Sequence, residues 1–342
     1  MMKILILGSD GFIGYHLSNS ILADARFSDV KIVGVDKYKT RTDMLPQDNR
    51  FEFHQLNIME DHGIIDGLIE DCDVLLPFVA IATPKLYVEQ PMRVFELDFE
   101  ENLRVIKLAQ KLGKRVIFPS TSEVYGKGEA PFDEETSDLV YGPIKYSRWI
   151  YACSKQLLDR VIFAMNQRDS FRFTLFRPFN WVGPYLDTLE ATSEGSSRLI
   201  TQLIGDALYK GEVTLVDGGH QKRCFTDVRD GVGALKEILL NEEKANGKIY
   251  NVGNPWNNIS VREVALKVIN QLEDAGLTKQ KASISVKSSG EFYGAGYQDV
   301  TSRVPSINNI GNDLGWTPTY TFDQSLTNII ESITPADLKV TI

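Results

Sequence analysis

Apolar runs and their breaks give this chain its shape before any chemistry is considered. Residues 3–7 (KILIL) form a short apolar run closed by Gly8, the pattern of a strand buried on both faces. A helical pattern follows from Phe12 to Leu22, and residues 31–35 (KIVGV) predict a second strand that ends on Asp36. Phe51 to Ile58 alternates and predicts a third strand, Val74 to Val79 a fourth, Arg115 to Pro119 a fifth and Phe173 to Phe176 a sixth. Helical patterns sit between them, notably Phe99 to Leu112. Strands that alternate with helices predict an α/β fold, a Rossmann-type doubly wound parallel sheet with right-handed crossovers.

After Pro178 the texture changes. Loops lengthen, as over 183–197 and 290–306, and the expected organisation is two domains. Residues 1–178 form the cofactor-binding part, joined by a later strand near 249–252, and residues 179–342 form a smaller substrate-binding part. No internal repeat or low-complexity segment interrupts the pattern.

Composition narrows the classes of function. With 37 Lys and Arg against 46 Asp and Glu, the net charge is −9, which argues against nucleic acid or an anionic membrane as partner. The N-terminus lacks a cleavage pattern, and no apolar stretch is long enough to span a bilayer. Cys72, Cys153 and Cys224 lie far apart, and the four histidines show no HExxH spacing. No metal site or disulfide framework is expected, and reduced thiols fit a cytoplasmic protein.

The first strand runs into Gly8, Gly11 and Gly14, spaced GxxGxxG. Glycines there permit a tight turn and close approach of a pyrophosphate, and the helix beginning at Phe12 and Ile13 offers its N-terminal N–H groups. Asp36 stands 22 residues beyond Gly14, where a carboxylate accepts from a ribose diol and repels a 2′-phosphate. The expected cofactor is therefore NAD. Asn57 and Ile58, at the predicted end of the third strand, are the expected adenine contacts.

Tyr151 and Lys155 form YxxxK, which places both on one helix face. A neighbouring ammonium and a nicotinamide cation lower a phenol from its usual pKa of about 10 toward neutrality, giving a base for an alcohol that loses hydride. Downstream, Leu157, Leu158, Val161 and Ile162 form an apolar stripe suited to a core or to a dimer helix. The fifth strand ends in Ser120-Thr121-Ser122-Glu123, which sets hydroxyls and a carboxylate at the crevice.

The strings GSDGFIG, STSEVYG, YACSK, FRPFNWVGP and GGHQKRCFTDVRD resemble the extended short-chain dehydrogenases that act on nucleotide sugars. More narrowly, LLPFVAIATP, VFELDFEENLRVI, RWIYACSKQLLDRVI, GSSRLITQL and GYQDVTSR resemble the dehydrogenase half of ArnA-type bifunctional enzymes, UDP-glucuronic acid decarboxylases that form UDP-4-keto-pentose. The resemblance covers nearly the whole chain. It implies that Thr121, Tyr151 and Lys155 run hydride transfer, and that Ser122, Glu123 and Arg303 serve the catalytic site and decarboxylation. It also implies that Ala82, Tyr87, Ser122, Arg148, Asn180, Arg198, Arg223 and Tyr297 line the UDP-sugar site, within a homodimer. Two positions depart from the relatives: Tyr185 replaces a common Arg, and Thr214 replaces a Lys.

The implied reaction is NAD-dependent oxidation at C4 of UDP-glucuronic acid, loss of the C6 carboxylate as CO2, and release of NADH. The nearest rivals are a UDP-xylose-forming decarboxylase that recycles NAD, and an epimerase or dehydratase on the same fold. UDP-apiose synthases carry cysteines at the positions of Ala82 and Ser122. A non-catalytic NAD-sensing regulator would dispense with Tyr151 or Lys155, and both are present.

Overall fold

The computed structural model describes residues 1–192, 197–278, 280–293 and 302–339. Seven strands form one parallel sheet: β1 (Met2–Leu7), β2 (Val30–Asp36), β3 (Phe51–Gln55), β4 (Val74–Pro77), β5 (Arg115–Pro119), β6 (Phe173–Pro178) and β7 (Lys248–Val252). Their spatial order is β7-β6-β5-β4-β1-β2-β3. The order reverses at β1 and β4, so a crevice opens beyond their carboxyl ends.

Period-two alternation decides which core each side chain joins. Ile4, Ile6, Ile32, Leu76 and Ile117 enter one apolar core, while Leu5, Leu7, Val33, Leu75, Val116 and Phe118 enter the other. Helix α1 (Phe12–Leu22) covers the first face. Helices α2 (His62–Asp71), α3 (Asn102–Lys111) and α4 (Trp149–Asp169) cover the second. The first core also takes in α5 (Val228–Leu240), α6 (Val261–Asp274) and α8 (Phe322–Glu331), the last following α7 (Asn308–Leu314). Capping boxes, Ser260 with Glu263 and Thr321 with Gln324, start α6 and α8. One continuous core therefore joins the early strands to the late helices, and β7 pairs parallel to β6.

Three predicted elements need correction. The third strand stops at Gln55, because the Asn57 N–H turns to Asp61 Oδ2 (2.7 Å) and begins the approach to α2. The fourth stops at Pro77 rather than Val79. The helix predicted from Phe99 begins earlier, as a π-helical turn over Glu96–Glu101 that runs into α3 and buries Asp98. The apolar stripe of α4 also divides: Leu158 and Ile162 are buried in the second core, whereas Leu157 is exposed.

Among the described residues no helix is long and apolar enough to cross a membrane, and no group of three metal-ligating side chains occurs. The three cysteines are free thiols.

Candidate active site

The turn after β1 is built for close approach. Gly8 has φ +94°, and a side chain there would meet the backbone of Phe78 and Val79 at 3.0 Å. A side chain on Gly14 would strike Gly8 O and lie 2.7 Å from Ser9 Cα, so only glycine lets α1 seat against the turn. No side chain caps the N-terminus of α1 at Gly11, Phe12 and Ile13, which leaves its first N–H groups directed at the crevice.

Asp36 ends β2 and accepts from the Asp10 N–H (3.0 Å) and the Tyr38 N–H (3.2 Å). Burial pushes its carboxyl up, and these backbone donors act against that. Lys39 is drawn aside to Asp43 at 3.0 Å, away from the role of a 2′-phosphate partner. Asn57 Oδ1 accepts from the Met59 N–H (3.1 Å), and Ile58 is buried in the second core. Both residues thus contribute to the turn before α2 and to its packing.

The side chains expected to be catalytic gather where β5 meets α4. Thr121 Oγ1 accepts from the Glu123 N–H (3.2 Å), which folds Ser122–Tyr125 into a short helical turn and buries Ser122. The Thr121 side chain favours the ionised form of the Tyr151 phenol. Tyr87, from the short helix Pro84–Glu89, stacks on Tyr151 with centroids 4.6 Å apart and planes 6° apart. Lys155 lies one turn beyond, wholly buried, with Nζ 3.2 Å from Pro119 O, 3.6 Å from Asp98 Oδ1 and 4.6 Å from the centre of the Phe118 ring.

Surrounding groups act on the Tyr151 phenol in both directions. Burial pushes the Tyr151 phenol up, the negative charges of Asp98 and Glu123 push the same way, and Thr121 and Arg198 oppose them. The Lys155 ammonium lies beside Asp98, and burial draws its own pKa down. Asp98 is itself raised to about 6 by burial, with Lys155 opposing.

Beside this pair stands an arginine–carboxylate clamp. Glu123 accepts from Arg148 Nη2 at 2.6 Å and from Arg303 Nη1 at 2.5 Å, and both guanidiniums are buried. Burial alone would raise Glu123, but Arg303, Arg148 and the field of Arg223 outweigh it and hold the carboxyl at about 2. Thr121, Ser122, Glu123, Tyr87, Arg148, Tyr151, Lys155 and Arg303 thus form one cluster.

The remaining predicted positions have separate partners. Arg198 holds Asp187 and Leu186 O and lies 5.6 Å from the Phe12 ring centre. Asn180 adopts φ +40° and donates to Cys224 O (3.2 Å), while Arg223 donates to Lys222 O (2.8 Å). Ala82 is exposed in the loop after β4. Tyr297 lies outside the described residues.

The chain as a whole has counterparts among known proteins. Residues 4–253 match the NAD dependent epimerase/dehydratase family. The chain belongs to this family. It is 46% identical to the PbgP3 protein from Burkholderia pseudomallei over 97% of this chain and 96% of that one, with a TM-score of 0.84. dTDP-glucose 4,6-dehydratase from Bacillus anthracis, solved in complex with NAD, is 22% identical over 97% and 96% of the two chains (TM-score 0.77). UDP-glucuronic acid 4-epimerase from Bacillus cereus, solved as a variant with a fluorinated UDP-glucuronic acid and NAD, is 20% identical over 97% and 98% (TM-score 0.79).

As a member of the NAD dependent epimerase/dehydratase family, the protein is an enzyme that uses NAD. Two of its buried charges escaped the sequence reading. Asp98 faces Lys155, and the signal for it was its spacing: Val94, Asp98, Asn102 and Val105 share one buried face, so a carboxylate occupies a core position. Asp159 accepts from the Ser120 hydroxyl (2.6 Å) and from Arg177 (3.3 Å), one turn beyond Lys155 on α4.

Proposed function

We propose that the protein is an NAD-dependent UDP-glucuronic acid decarboxylase that releases UDP-4-keto-pentose, CO2 and NADH. The observation that carries this reading is the pair of buried guanidiniums of Arg148 and Arg303 beside the Thr121–Tyr151 couple. Two permanent cations next to an alcohol-oxidising tyrosine suit a sugar that bears a carboxylate.

NAD supplies the hydride acceptor. Thr121 and Tyr151 bind the C4 hydroxyl, and Tyr151 takes its proton as the C4 hydride leaves. A nicotinamide cation favours phenolate and opposes the upward pull of burial on Tyr151. The C4 ketone lies β to the C6 carboxylate, so the C5–C6 bond breaks with its electrons flowing into that carbonyl, and C5 then takes a proton. Glu123, held at about 2, is ionised at neutral pH and serves as an anchor for Arg303 rather than as the proton donor. Arg303 is the group that meets the sugar carboxylate.

The test is incubation with UDP-glucuronate and NAD, following NADH by absorbance and CO2 by capture. One NADH per CO2 is expected; CO2 with little net NADH would indicate a UDP-xylose-forming enzyme, and neither product would refute the reading. Tyr151→Phe should abolish both products together. Arg303→Ala should retain NAD binding and lose CO2 release about a hundredfold, close to 3 kcal/mol of transition-state stabilisation. A near wild-type rate of CO2 release in Arg303→Ala would remove that residue from the mechanism.

A further inference from the structure

Arg303 sits on a strap, residues 302–306, which meets both a neighbouring loop and strand β7 of the main sheet. That loop runs from Phe132 to Ser137. Phe132 pairs with Pro305 in an isolated parallel bridge: its N–H donates to Val304 O (2.7 Å) and its carbonyl accepts from the Ser306 N–H (2.6 Å). Phe132 is buried and stacks on Tyr125 at 4.5 Å, so the loop side of this pairing is fixed. Asn251 of β7 closes the other side, donating to Phe132 O (3.0 Å) and Ser306 O (3.2 Å) while Tyr125 donates to its Oδ1 (2.8 Å).

One carboxylate joins all of these parts. Glu134, two residues after Phe132, accepts from the Asn251 backbone N–H through Oε1 (2.6 Å) and from Asn309 Nδ2 through Oε2 (3.2 Å). Asn251 is on the sheet, Asn309 is in α7 just after the strap, and Glu134 is on the loop. The C-terminal side of the strap is thereby tied to the sheet through Glu134, in addition to the direct bond from Asn251 to Ser306 O.

We propose that Glu134 is a positioning residue for Arg303: by tying the loop to β7 and α7 it fixes the strap at the register that sets the Arg303 guanidinium against Glu123. The inference deepens the reading of Arg303 given above and rests on it for its catalytic consequence. Its structural half stands on the hydrogen bonds alone.

The test compares Glu134→Ala and Glu134→Gln in the NAD-loaded enzyme with two measurements. The first is the rate at which phenylglyoxal modifies Arg303, read by mass spectrometry of the peptide that contains it. Wild-type Arg303 is buried and protected; Glu134→Ala should raise the rate about fivefold or more by favouring local opening, and Glu134→Gln, which retains an acceptor for the Asn251 N–H, should restore protection. The second is turnover: Glu134→Ala should lower kcat for CO2 release about tenfold, with NAD affinity within about twofold, and Gln should recover it. If Glu134→Ala does not fold, Asn309→Ala cuts only the bond to α7 and should expose Arg303 in the same direction. Unchanged protection in the alanine variants overturns the proposal, as does equal loss with Ala and Gln. Wild-type enzyme that fails to release CO2 refutes the decarboxylase reading instead, and the protection ratio still tests the strap.

Discussion

The Glu123 clamp offers a stability experiment whose sign and size follow from the geometry. In the folded protein Arg303, Arg148 and Arg223 hold its carboxyl at about 2 against an ordinary 4.5, despite burial. A carboxyl depressed by folding contributes stability that is complete above its unfolded value, near 4.5, and is lost as pH falls toward about 2. The shift corresponds to roughly 3 kcal/mol at neutral pH. Breaking a buried ion pair from one side costs a similar amount, about 3–5 kcal/mol, because the partner charges stay buried. Glu123→Gln removes the titration and leaves Arg148 and Arg303 without their carboxylate. Urea unfolding of the two proteins should therefore differ by about 3 kcal/mol at pH 7. The difference should be unchanged at pH 6 and smaller by roughly 1.4 kcal/mol at pH 3.5, where the carboxyl of the unfolded chain is already protonated. Trp149, whose ring centre lies 4.6 Å from the Arg148 guanidinium carbon, gives a fluorescence signal local to the clamp. A gap of the same size at pH 7 and pH 3.5, or no gap at pH 7, would refute the reasoning.

Other consequences are open to simple measurements. Gly14→Ala forces α1 off the turn after β1, so it should weaken NAD binding at least about tenfold and cost about 1–3 kcal/mol of stability, read by calorimetry and thermal unfolding. Asp36→Asn removes the charge that repels a 2′-phosphate and should shift the NAD to NADP affinity ratio about tenfold toward NADP; an unchanged ratio would contradict the role assigned to Asp36. We also propose that α3 and α4 pair across a two-fold axis, using exposed Leu157 and Phe163. Leu157→Glu with Phe163→Glu should then convert dimers to monomers in light scattering, and a monomeric wild type would end that proposal.

Much of this architecture was legible because it is local. Helix α1 begins at Phe12 and ends at Leu22 as its periodicity predicted, and the run 3–7 became an interior strand of the sheet. Boundaries failed where a polar side chain intervened. Leu56 and Ile58 alternate with Asn57 beyond β3 in the opposite phase, but the Asn57 N–H is captured by Asp61 and the chain turns away. The proximity of Tyr151 and Lys155 was legible from their spacing, whereas the carboxylate beside Lys155 was not. YxxxK places Lys155 one turn from Tyr151, but Asp98, which claims that lysine, comes from a π-helical turn far upstream. The two arginines on Glu123 were anticipated as separate residues. That they close on one carboxylate depends on a strap and a loop meeting across a long stretch of chain, which periodicity cannot express.

The Glu134 and α7 contacts have a second consequence, unrelated to catalysis. An outermost strand presents unpaired backbone donors and acceptors that can template a foreign strand and seed aggregation. Here β7 is the outermost strand on one side, and Glu134 occupies the Asn251 donor. Lys248 and Tyr250 both hold Asp313, at 3.2 Å and 2.9 Å, which lays α7 along that border. At the opposite border β3 carries Glu52, paired with Lys31 at 2.5 Å and hydrogen-bonded to His54 at 2.9 Å, so an incoming strand would meet polar and charged side chains. The seven-stranded sheet is thus guarded at both ends against sheet extension by another chain.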